Sequence, residues 1–126
     1  MKLTPDIDPS LNTITAYDGE SVDINAVRYT SSVIVLPTGP VIEWPVADFA
    51  ALAPQDFAAL EQAAPELVIL GTGQRQRFAH PRLTASLINA RIGVESMDSG
   101  AACRTYNILV NEGRRAAIAL IIEPTR

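Results

Sequence analysis

Two short runs made entirely of apolar residues, at residues 67–70 and 116–122, constrain the fold of this chain most strongly. Such runs, when turn-forming residues bound them, are typical of strands that are covered on both faces of a sheet. A further strand is predicted at residues 94–97, and helical spacing separates the three strands at residues 81–90 and 99–110. This alternation of strands and helices predicts a mostly parallel sheet with right-handed crossovers.

The first third of the chain reads as antiparallel β-hairpins. Residues 13–27 alternate apolar and polar side chains around the turn dipeptide Asp18-Gly19, and residues 32–44 contain two more apolar runs around a proline and glycine turn. About four antiparallel strands are therefore predicted, which extend or cover the parallel sheet. A helix is predicted from Pro54 to about residue 64, where Pro65 stops it.

Length and composition predict a single domain spanning residues 1–126. The chain has 126 residues, of which 48% are hydrophobic, which is enough to close one core. No window reaches the roughly 18 consecutive apolar residues that a membrane span needs, and residues 1–6 lack the apolar stretch of a secretory signal. Because the single cysteine, Cys103, also fits a reducing compartment, we expect a cytoplasmic protein without a membrane span.

The charges divide unevenly between the two halves. Residues 1–66 hold ten acidic and two basic residues, a net −8, whereas residues 67–126 hold eight arginines and four acids, a net +4. This division favours anionic ligands for the second half, and it predicts no nucleic-acid partner because the first half is acidic. The alternative is that the two halves neutralise each other across the fold.

A candidate anion-accepting cleft lies where two of the predicted strands end. Glycines after residue 70 let backbone amides approach a ligand, and the predicted helix start near Ser99 offers free amides beside Arg104. The predicted site comprises Gly71, Thr72, Gly73, Arg75, Arg77, Asp98, Ser99, Gly100, Cys103 and Arg104. The alternatives are a tight turn without a ligand, or an ion pair from Asp98 to Arg77 or Arg104 that ties the two segments together.

No known catalytic, metal or cofactor motif is complete. A dinucleotide fingerprint needs a small residue where this chain has Gln76, and a phosphate loop needs a lysine that the chain does not place there. One histidine, His80, and one cysteine provide too few ligands for a metal. We therefore predict no metal, no cofactor and no catalytic residue, although a Cys103–His80 dyad is considered as an alternative to a packed, inert thiol.

Two long sequence blocks resemble a known family. Residues 65–73 and 97–107, with Arg77-Phe78 and residues 93–95 between them, are similar to the blocks of an uncharacterised domain family whose eukaryotic members include a mitochondrial assembly factor for respiratory complex I. The resemblance implies a three-layer α/β fold with a mixed central sheet and implies no reaction. The family often has threonine where this chain has Ser99, and either hydroxyl can cap a helix.

Three functional hypotheses follow from the residues and the resemblance. The first is a non-catalytic protein-interaction or assembly-factor-like domain whose partners are respiratory-complex or membrane-assembly proteins. The second is a protein that binds a small anionic metabolite, and the third is a cysteine-dependent enzyme of unknown reaction. Trp44 and Phe78 are candidates for a partner surface, but we expect both in the core.

Overall fold

The computed structural model describes residues 9–123, which form two β-sheets and the helices that pack on them. A small antiparallel sheet contains β1 (Ile14–Tyr17), β2 (Val22–Ile24) and β3 (Val27–Tyr29). A five-stranded sheet has the order β5-β4-β8-β6-β7 and contains β4 (Val33–Val35), β5 (Ile42–Glu43), β6 (Leu67–Gly71), β7 (Gly93–Met97) and β8 (Ala116–Leu120). The helices are α1 (Ala58–Ala63), α2 (Ala85–Asn89) and α3 (Ser99–Asn111).

The five-stranded sheet is mixed, as predicted. Strand β6 pairs in parallel with β7 and with β8, while β4 pairs antiparallel with β8 and β5. Helix α2 connects β6 to β7, and α3 connects β7 to β8. The first predicted hairpin therefore covers the large sheet and the second extends it, which confirms the three-layer α/β fold.

Each face of the large sheet has its own apolar core. On one face, α3 and the small sheet pack against β8 and β6 through residues such as Tyr106, Val22 and Ile118. On the other face, α1, α2 and residues 44–57, which precede α1, pack through side chains such as Phe57, Leu60 and Leu87. Because the two cores cover both faces of the sheet, every residue of the central strand β8 is buried. This explains why residues 116–120 contain no polar side chain.

The first hairpin has one more turn than the sequence analysis predicted. The chain reverses at Asn25 and Ala26, whose φ angles are 49° and 68°, so that Val27 begins β3 and does not continue β2. Asparagine tolerates this left-handed conformation, and the Asn25 side chain also accepts a hydrogen bond from the Thr13 amide at 2.9 Å. The turn was not predicted because its second position is Ala26, whereas glycine is the residue that usually marks such a turn.

Two predicted helices are shorter than their sequence patterns. Residues 54–57 and 81–83 form single turns of 3₁₀ helix, and regular α-helix follows each of them. The last strand also ends at Leu120, because the Ile122 amide donates to the Ser32 hydroxyl at 2.9 Å and not to a neighbouring strand. Pro124, which was predicted to end this strand, and residues 1–6 lie outside the described residues.

Candidate functional site

The two segments of the predicted cleft meet at one edge of the large sheet. The Gly73 amide donates to the Ser99 hydroxyl at 2.9 Å, and the Ser99 amide donates to the Gly73 carbonyl at 2.8 Å. The Thr72 amide donates to the Met97 carbonyl at 2.9 Å, which continues the pairing of β6 with β7. The strand ends are thus joined directly to each other.

Most of the amides that were assigned to an anion have partners within the protein. The Asp98 carboxylate caps α3 by accepting a hydrogen bond from the Ala101 amide at 2.9 Å, and the Ala102 amide donates to the Asp98 carbonyl. With the amides of Gly73 and Ser99 already bonded, the space between the two turns is occupied by the protein's own groups. The side chain of Ser99 is fully buried and also donates to the Ile121 carbonyl at 3.1 Å.

Arg77 forms an internal ion pair, but with a different partner from the one predicted. Its Nη2 atom lies 2.7 Å from Glu123 Oε1 and donates to the Thr72 carbonyl at 2.6 Å. Its guanidinium also lies 4.7 Å from the centre of the Phe49 ring, and the other Glu123 oxygen accepts from the Phe49 amide. Of the two ion pairs considered as alternatives for Asp98, the one with Arg77 is therefore wrong, because Glu123, far along the chain, occupies the position beside Arg77.

The part of the predicted site that faces outward is a shallow hollow beside the first turn of α3. It has a volume of about 350 Å³ and is lined by Tyr17, Asp98 and Gly100 among others. A neighbouring hollow of about 220 Å³ includes Cys103 and Arg104. The anion-accepting site stays a prediction. It now depends on Gly100 and Arg104 in the smaller hollow, because the larger one is lined by both Asp18 and Asp98 and the exposed Arg75 lines neither.

Cys103 lacks the properties of a catalytic thiol. The side chain is buried in the core between α3 and the sheet, and this burial raises the pKa of the Cys103 thiol to about 12. The thiol is therefore protonated at neutral pH, although Arg104 opposes the shift. His80 is exposed, and its Nδ1 accepts a hydrogen bond from the Arg82 amide. It lies between Ala79 and Leu83, which pack against the core on the opposite face of the sheet from Cys103. The two residues of the proposed dyad are not together.

A groove beside β7 was missed by the sequence analysis. It has a volume of about 630 Å³ and lies between β7, α2 and the loop after β6. Phe78, which was expected in the core, is 79% exposed on this groove, and Ile88 is 55% exposed. Trp44 is buried as expected, with its indole N–H donating to the Asp56 carbonyl.

The loop that carries Phe78 is held in place by hydrogen bonds. The Thr72 hydroxyl donates to the Arg75 carbonyl at 2.7 Å and accepts from the Arg77 amide at 3.1 Å. The exposure of Phe78 is thus a consequence of a defined backbone path, and an exposed aromatic ring next to a groove indicates a contact surface. No periodic pattern could have shown it, because residues 74–80 belong to neither a strand nor a helix.

The described residues contain no group of histidine, cysteine and acidic side chains suited to hold a metal ion. Within residues 9–123, no helix is both long and apolar enough to cross a bilayer.

Comparison with known proteins gives the chain a family. A model described as a protein of unknown function (DUF498/DUF598) matches residues 14–121. A relative from Bos taurus named NADH dehydrogenase [ubiquinone] 1 alpha subcomplex assembly factor 3 is 30% identical over 113 residues, which cover 88% of this chain and 61% of the relative. The chain thus spans about three fifths of the length of that relative.

Solved structures share the fold. A crystal structure of a protein from Bordetella parapertussis has 41% sequence identity and a TM-score of 0.86, over 90% of this chain and 98% of that one. A solution structure from Bordetella pertussis, described as an Mth938-like domain, has 35% identity and a TM-score of 0.81, over 98% of this chain and 93% of that one. These likenesses agree with the three-layer architecture.

Proposed function

The chain belongs to the family of proteins of unknown function described as DUF498/DUF598, and from this premise we propose that it is a non-catalytic, assembly-factor-like domain that binds other proteins. The relative named as an assembly factor aligns with 88% of this chain, so the likeness includes nearly all of the fold. By the same likeness, we propose respiratory-complex or membrane-assembly proteins as its partners.

The groove beside β7 is the observation that carries this proposal. Four large apolar side chains among the described residues are more than half exposed, namely Val27, Phe78, Ile88 and Ile108, and two of them, Phe78 and Ile88, line this groove. Burying an aromatic or aliphatic side chain of this size contributes about 1.5–3 kcal/mol. A partner that covers Phe78 and Ile88 together would therefore gain a central contact of the kind that dominates interfaces.

The buried Cys103 thiol and its separation from His80 support an interaction domain over the cysteine-dependent alternative. A small anionic ligand at Gly100 and Arg104 remains the second proposal, and it does not compete with the first because these residues lie outside the β7 groove.

Affinity capture with matched variants tests the proposed function. Immobilised Phe78→Ser and Ile88→Ser proteins are expected to retain partner proteins at least about tenfold less than the original chain, because each loses an apolar contact at the centre of the interface. Ile108→Ser is the control: Ile108 is 59% exposed, close to the 55% of Ile88, but it lies on α3 outside the groove. Retained proteins are identified by mass spectrometry.

The proposal requires that respiratory-complex or membrane-assembly proteins be enriched by the original chain and by Ile108→Ser, and lost with the other two variants. Equal retention by all four proteins, or enrichment of no such protein at native expression, would contradict it. Circular dichroism of each variant establishes that the loss does not come from unfolding.

A further inference from the structure

We propose that β7 binds an extended segment of a partner protein as an additional strand, and that this segment has alternating apolar residues with acidic residues at both ends. The inference rests on the proposed function, since it specifies how the β7 groove would recognise its partner.

The first support is the open edge of the sheet. Strand β7 pairs with β6 on one side, and no strand of residues 9–123 pairs with its other side. In a parallel pair, alternate residues direct both backbone groups toward the neighbouring strand. The Gly93 amide donates to the Glu66 carbonyl, and the Met97 carbonyl accepts from the Thr72 amide, so the odd-numbered residues of β7 face β6. The even-numbered residues, Val94 and Ser96, therefore direct their backbone N–H and C=O groups outward.

The side chain of Gln76 partly covers this edge. Its Nε2 atom donates to the outward Ser96 carbonyl at 3.2 Å, as the amide of an added strand would do. Gln76 is exposed and the bond is long, so an incoming backbone N–H can replace it at little cost. The contact shows that this carbonyl is available for hydrogen bonding at the surface of the groove.

The second support is the groove beside the edge. The groove lies on the α2 side of β7, where Val94 is half-buried against the core and Phe78 and Ile88 are exposed. A strand added to β7 would direct every second side chain to this side. Apolar residues at alternate positions would therefore contact Phe78 and Ile88, which is the usual arrangement when a peptide adds to a sheet edge.

The third support is charge. Residues 67–94 contain four arginines and no acidic residue, in a chain whose net charge is −4. Glu95, midway along β7, is exposed and lines the groove, so positive charge lies at the two ends of the edge and not at its centre. Arg77 is neutralised by Glu123, but Arg75, Arg82 and Arg91 are exposed and form no ion pair among residues 9–123. Arg91 precedes β7 by two residues, and Arg75 adjoins Gln76 at the other end of the edge.

A segment with acidic ends complements this arrangement. A second copy of this chain fits it less well, because pairing two β7 strands about a twofold axis would bring the two sets of arginines together. The proposed occupant is therefore a different protein.

Peptide binding tests the proposal. The probe is a synthetic peptide of about seven residues with valines at alternate central positions and glutamates at both ends, and the control peptide has lysines at both ends. We expect the glutamate peptide to bind at least about tenfold more tightly than the lysine peptide. At saturation it should slow hydrogen exchange of the Val94 and Ser96 amides at least about tenfold.

Two changes test backbone pairing itself. N-methylation of one alternate set of peptide amides should abolish binding, while N-methylation of the other set should leave it unchanged, since only one set faces β7. Gln76→Ala should increase the affinity about threefold, because it removes the group that competes for the Ser96 carbonyl. Ile108→Ser should leave the affinity unchanged.

Equal binding of both peptides, binding that survives both patterns of N-methylation, or unprotected Val94 and Ser96 amides would overturn strand addition. Protection of these amides that depends on protein concentration without peptide would identify a second copy as the occupant and would also overturn it.

If the peptide fails while Phe78→Ser still loses its partners in affinity capture, strand addition is rejected and the proposed function stands. If Phe78→Ser retains those partners, the proposed function fails as well.

Discussion

Gly73→Ala is expected to lower the free energy of unfolding by about 3 kcal/mol, because the new methyl group meets two separate obstacles. Gly73 has a φ angle of +96°, which residues other than glycine rarely adopt. A Cβ atom there would also lie 2.5 Å from Glu123 Oε1 and 2.9 Å from Arg77 Nη2. The ends of the Glu123 and Arg77 side chains would have to shift away from Gly73, which disturbs the ion pair that joins the loop to the segment after β8. Urea denaturation measures the loss.

Gly39→Ala is the matched control for this prediction. Gly39 has a φ angle of +92°, but no atom lies within 4 Å of the position that a Cβ would take. The control therefore includes the backbone cost of about 1–2 kcal/mol without the crowding. If both variants lose the same stability, the Arg77–Glu123 pair does not pack against Gly73 as described.

Ser99→Ala is expected to cost about 2–4 kcal/mol, since it leaves two buried backbone groups without a partner. The fully buried Ser99 hydroxyl accepts from the Gly73 amide and donates to the Ile121 carbonyl, so one oxygen atom joins the loop after β6, the start of α3 and the end of β8. Thermal or urea unfolding followed by circular dichroism measures the change.

Ser31→Ala provides the comparison, because Ser31 is exposed and its loss should change the free energy of unfolding by no more than about 0.5 kcal/mol. A Ser99→Ala variant as stable as Ser31→Ala would show that the hydroxyl does not connect the three segments.

The strands of the large sheet could be predicted because burial on both faces leaves a direct mark on the sequence. Along β8, Ile118 and Leu120 lie in one core while Ala117 and Ala119 lie in the other, so burial on both faces excludes polar side chains from the whole strand. The start of α3 was predictable for a local reason too, because Asp98 caps it within three residues. Local signals were sufficient for these elements, although the equally local turn at Asn25 and Ala26 was not predicted.

The candidate site was less predictable because its contacts span long separations. Glu123 lies 46 residues from Arg77, and no local pattern connects the two. The exposure of Phe78 likewise depends on hydrogen bonds from Thr72 that set the path of an irregular loop. Hydrophobic periodicity assigns residues to faces of helices and strands, so it gave no information about a side chain outside both.

Site-specific photo-crosslinking tests the central claim most directly, namely that other proteins bind at the groove beside β7. A photoreactive amino acid in place of Phe78 should produce discrete crosslinked partners in cells, and the same group in place of Val27 should not. Val27 is a suitable reference because it is apolar and 55% exposed, but it lies on β3 of the small sheet. Partners captured equally at both positions, or at Val27 alone, would contradict the account.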